Sequence, residues 1–125
     1  MIGAAGQGAA RQREREILGT LIHGPASVRI AVADTLLAHL QFVITNKLRR
    51  RESFTVVFTE SAADGRRSVW LSDSIPLIFE YESSERRLLD RSRIDAMMVE
   101  ALGANGLQVD TEADAPSAAP LVDDL

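Results

Sequence analysis

The chain contains no cysteine, so disulfides, thiolate nucleophiles and cysteine-ligated metals play no part in its chemistry. Its only histidines are His23 and His39. They lack the His-x-x-x-His spacing that sets two imidazoles on one helix face, which leaves a catalytic metal short of ligands. Aromatic residues are 5% of the chain, so aliphatic side chains must fill most of an interior. No stretch approaches the roughly 18 consecutive apolar residues of a membrane-spanning helix. The small residues Met1–Ala10 precede the first charges, the reverse of a secretory leader. The expectation is a soluble, cytoplasmic protein with no membrane partner. Gly3, Gly6 and Gly8 open no strand–helix unit, and no Gly-x-Ser-x-Gly elbow surrounds Ser68, Ser72 or Ser74. Neither a phosphate-cradling loop nor a serine nucleophile is therefore indicated, and no cofactor is expected.

What is present suits one domain: 125 residues, 46% of them hydrophobic. The net charge of −4 is unevenly spread. No basic residue follows Arg93, whereas Asp95, Glu100, Asp110, Glu112, Asp114, Asp123 and Asp124 do. The body is thus mildly basic and the C-terminal end acidic. Composition divides the chain into a disordered extension over 1–16, a folded domain over 17–111 and an acidic disordered tail over 112–125.

Within the domain, Ile17–His23 and Ser27–Val32 read as strands joined across Gly24-Pro25-Ala26. Asp34 is placed to cap a helix whose apolar stripe is Leu36, Leu37, Leu40, Val43, Ile44 and Leu48. His39, Gln41, Asn46, Arg49 and Arg50 are assigned to its polar side. Phe54–Thr59 alternates as a strand, Ala62–Gly65 turns, and Arg67–Ser72 continues as the next strand. Leu77, Phe79 and Tyr81 mark a further strand, with Ser83–Arg87 as a polar loop. A second helix starts near Ser92, with Asp95 completing a weak capping box, and buries Ile94, Met97, Met98, Ala101 and Leu102. Leu107–Thr111 forms the last strand. The order ββαβββαβ predicts a two-layer α+β fold: a mostly antiparallel sheet of about six strands with two helices on one face.

For function, the strongest pattern is basic: Lys47, Arg49, Arg50 and Arg51 at a helix end, with Arg66 and Arg67 after the next turn. Brought together, these six could contact phosphate. The plainer reading is a helix end that offsets its own dipole, plus a solvated loop. Trp70 is expected to fill the sheet–helix core with its indole N–H at the rim. Met97 and Met98 read as core, and Glu80, Glu82 and Glu85 as solvated charge.

The strings Leu18-Gly-Thr-Leu-Ile-His-Gly24, Leu37-Ala-His-Leu-Gln41, Asn46-Lys-Leu-Arg-Arg50 and Glu52-Ser-Phe54 resemble a family of small uncharacterised actinobacterial domains. The resemblance continues through Asp64-Gly-Arg66, Ser68-Val-Trp-Leu71 and Ser74-Ile-Pro-Leu77, and covers residues 18–110. Members often carry the automatic label "ATP-dependent DNA ligase". This chain departs from the pattern in its N-terminal extension and in Ser72-Asp73, where the family commonly has His-Pro. A ligase nucleophile is the lysine of Lys-x-Asp-Gly, whereas the only lysine here, Lys47, stands in Lys-Leu-Arg-Arg. The expectation is therefore a small binding or interaction module without catalysis. Its partner would be another protein or a second copy of the chain. A nucleic-acid-associated or ligase-accessory role is the alternative.

Overall fold

The structure, a computed structural model, describes residues 17–60 and 65–111. The extension 1–16, the tail 112–125 and most of the Ala62–Gly65 turn lie outside the described residues. Among the described residues, six strands and two helices follow in the expected order: β1 (Leu18–His23), β2 (Val28–Ala33), α1 (Asp34–Arg49), β3 (Phe54–Thr59), β4 (Arg66–Leu71), β5 (Leu77–Glu80), α2 (Arg91–Ala101) and β6 (Leu107–Asp110). The strands divide into two three-stranded sheets, β2-β1-β5 and β4-β3-β6. Every pairing is antiparallel except β3 with β6, whose chain returns through α2. The fold is two-layer α+β.

One continuous interior joins the layers. Leu36, Leu37, Leu40, Val43 and Ile44 of α1 are each no more than 2% exposed. They meet Leu21 and Val32 from the first sheet, Val56 and Leu71 from the second, and Ile94 and Met97 from α2. Burying each such side chain is worth about 1.5–3 kcal/mol relative to leaving it in water. Side chains also tie the sheets together: His23 Nε2 donates to the Trp70 carbonyl (2.9 Å) and Arg67 donates to the Arg29 carbonyl (3.3 Å).

Both helix starts differ from expectation. Asp34 is the first residue of α1 rather than its cap, and Ala33 at the cap position provides no side-chain bond. The chain passes directly from β2 into α1, and the Asp34 N–H donates to the Ile17 carbonyl (2.7 Å). Its carboxylate is thereby free to turn inward. The second helix is capped by Asp90, which accepts from the Ser92 and Arg93 N–H groups, so Ser92 lies inside the first turn. At its other end α1 closes with Glu52 N donating to Lys47 O and Arg51 N to Leu48 O. This double reversal puts Arg51 at φ 60, a left-handed backbone that usually selects glycine.

Candidate functional site

The inner side of α1 carries polar groups that hold the neighbouring segment in place. Asp34 is 1% exposed, and its carboxylate accepts from the Glu82 N–H (3.1 Å) and the Ser83 N–H (3.0 Å). The Arg87 guanidinium lies 3.8 Å away. Gly19 permits this approach: a Cβ there would fall 2.5 Å from Asp34 Oδ1 and 2.6 Å from the Glu80 carbonyl. His39 is fully buried, not on the polar side. Its Nε2 accepts from the Asp90 N–H (2.9 Å), which leaves Nδ1–H to donate to the Thr35 carbonyl (2.8 Å). Tyr81 donates its hydroxyl to Gln41 Oε1 (2.6 Å). Burial, with the Asp34 charge adding to it, pushes the phenol up to about 12. Together these bonds fasten residues 81–90 to α1.

Lys47 is also inside, only 3% exposed. Its ammonium donates to Glu52 Oε1 (3.1 Å) and stands 5.2 Å from the centre of the Phe54 ring. The spacing carried this signal, because Lys47 follows Ile44 by three and Val43 by four, in phase with the apolar stripe. Of the six cations grouped by sequence, then, Lys47 does not reach the surface.

The other five do not share one surface. Arg49, Arg50 and Arg51 lie beside the start of β3, whereas Arg66 pairs with Thr59 at the end of that strand and Arg67 with Phe58. Five strand steps at about 3.3 Å put the two groups roughly 17 Å apart along β3. Arg51 approaches Asp73 at the distal end of β4 (4.0 Å), and Arg67 is engaged with Arg29.

The structure assembles a different set. Two open grooves of about 500 and 700 Å³ flank the outer stripe of α1 and share Phe42, Asn46 and Arg49. The smaller, toward α2, adds Arg50 and Arg91 with Asp95; the larger, toward the 81–90 segment, adds Arg86 and Arg87 with Glu85. Five arginines thus face two carboxylates. The sequence pattern places Arg86 and Arg87 in a polar loop and gives Arg91 no distinguishing context; only the fastening of 81–90 to α1 places them beside Arg49. The Arg87 Nε is buried with no hydrogen-bond partner among the described residues.

Trp70 is 54% exposed rather than in the core. Val69 and Leu71 point inward, so alternation sends Trp70 to the uncovered face of the second sheet, opposite Thr55. A third groove of about 680 Å³ on that face is lined by Arg66, Ser68 and Gln108 among others. Among the described residues no group of three or more His, Asp or Glu side chains could hold a metal ion, and no helix is long and apolar enough to cross a membrane.

Structure and site define a small α+β domain whose buried polar groups fasten its own segments and whose arginines line an open trough. The chain belongs to the family described as "Domain of unknown function (DUF7882)", whose profile matches residues 18–112. No curated protein and no solved structure matches it.

Proposed function

We propose that this protein is a non-catalytic binding module that docks its partner against the outer stripe of α1. The observation supporting this reading is the division of polar groups across that helix. Asp34, His39 and Lys47 are enclosed and bonded within the fold, while Arg49, Phe42 and the arginines of 81–91 line open grooves. Attack on a nucleotide phosphate needs an uncovered amine, and the Lys47 ammonium is packed between Glu52 and Phe54. Incubation with α-phosphate-labelled ATP tests this. No label is expected on the protein, and labelling that vanishes in Lys47→Ala would overturn the reading.

A second reading, association with nucleic acid, is favoured by five arginines around one stripe. They replace the set Lys47, Arg49, Arg50, Arg51, Arg66 and Arg67 as the phosphate contact. Affinity for DNA or RNA that falls steeply with salt is the expected signature. Absence of binding at low salt would remove this reading.

A further inference from the structure

We infer that the trough along α1 is a binding site for single-stranded nucleic acid, with phosphates against its arginines and a base on Phe42. The inference rests on the binding-module reading and specifies the ligand. Because the two grooves share Phe42, Asn46 and Arg49, they lie side by side along one stripe of α1 rather than on separate surfaces. Arg91 and Arg50 stand on one side of it, and Arg86 and Arg87 on the other. An extended polyanion matches that layout better than a compact anion, for which convergent donors would be needed.

The donors are available despite their structural contacts. Arg50 reaches Glu52 only at 3.8 Å, and Glu52 is already bonded to Lys47. Arg87 is braced by Asp34 at the same separation, which orients its guanidinium at the groove wall. Guanidinium groups present several N–H donors, so one such contact leaves others for phosphate oxygens. Phe42, 42% exposed, provides a ring beside the grooves. Bases stack on such rings irrespective of sequence, the mode used by proteins that hold single strands.

The surroundings of α1 argue against a duplex. A helix reads duplex DNA by entering a major groove about 12 Å wide, which requires it to protrude. Here α1 lies between the 81–90 segment, fastened by Asp34 and His39, and α2, which starts beside the middle of α1. Its outer stripe is bordered on both sides by these elements, and a flexible strand can follow the grooves beside it.

The test is fluorescence anisotropy of the full chain with a labelled oligothymidylate of about 12 nucleotides, within the usual footprint of such grooves. A duplex of mixed sequence, its separated strand and the matching RNA serve as the other probes. Single strands are expected to bind, with a log–log salt slope of about −2 to −3.5 for three to five phosphates, and the duplex at least tenfold more weakly. Arg49→Glu with Arg86→Glu should reduce affinity more than tenfold, and Phe42→Ala several-fold with an unchanged slope. Arg66→Glu should stay within twofold. These side chains are exposed, so a denaturation midpoint close to the parent's excludes misfolding in each variant; only Arg49→Glu should lower it slightly, because it places a carboxylate in the last turn of α1. Equal affinity for duplex and single strand would overturn the inference. So would no binding of any probe at low salt, or loss of binding in Arg66→Glu but not in Arg49→Glu with Arg86→Glu. None of these outcomes touches the non-catalytic reading, which fails on ATP labelling instead.

Discussion

Along its inner side α1 buries an aspartate, a histidine and the only lysine of the chain; along its outer side it exposes a phenylalanine, an asparagine and arginines. Both sides are rich in groups capable of chemistry, yet their environments differ in kind. Inside, each charged or polar atom has a fixed partner that is part of the fold: backbone N–H groups for Asp34, Asp90 and Thr35 for His39, Glu52 for Lys47. Outside, the guanidinium groups border open volume. Burial makes the inner groups costly to change and unavailable to a ligand. Exposure makes the outer ones nearly free to change and available.

The contrast is broken most severely at Asp34. Asp34→Ala strands the Glu82 and Ser83 N–H groups and removes the counter-charge of Arg87. A loss of about 3–4 kcal/mol is expected in urea denaturation. A change within experimental error would show that the carboxylate does not hold the segment.

Next in size is an asymmetry at the enclosed ion pair. Glu52→Ala leaves a buried ammonium without its carboxylate and should cost about 3 kcal/mol. Lys47→Met leaves only a half-exposed carboxylate and preserves the packing on Phe54, so about 1 kcal/mol or less is expected. Equal effects would mean that Lys47 is solvated.

A smaller effect of opposite sign belongs to Arg51, whose left-handed backbone strains any side chain. Arg51→Gly should raise stability by about 1 kcal/mol. A decrease would indicate that its approach to Asp73 matters more than the backbone.

The smallest concerns alkaline pH. Tyr81 is the only tyrosine, so phenolate absorbance reports it alone. Its neutral form is favoured in the folded chain. Its contribution to stability is therefore complete below the ordinary value of 10.0 and declines as pH rises through about 12. Titration near 10 in the folded protein would show that burial and Asp34 do not act on it. Tyr81→Phe should remove this part of the alkaline loss.

Periodicity made the elements legible, because core formation dominates this chain: the α1 stripe and the alternation of Phe54, Val56 and Phe58 appear where spacing puts them. The division into two sheets was not legible, since strand order along the chain does not state which edges meet. Polar residues were harder to place, each for a physical reason. His39 borders the stripe and is buried because Asp90 supplies a bond that no local pattern announces. Lys47 was in phase with the stripe, but its charge suggested the surface. Trp70 was outward by parity, but its size suggested the core. The arginine trough depends on residues 81–90 folding back onto α1, a long-range contact set by Asp34, and no local spacing encodes it.

Amine reactivity at Lys47 tests the division across α1 most directly. Acylation of the folded protein by a water-soluble amine reagent, followed by peptide mass spectrometry, should leave Lys47 unmodified until denaturant is added. Modification of Lys47 in the native protein at the rate of a free lysine would contradict the account.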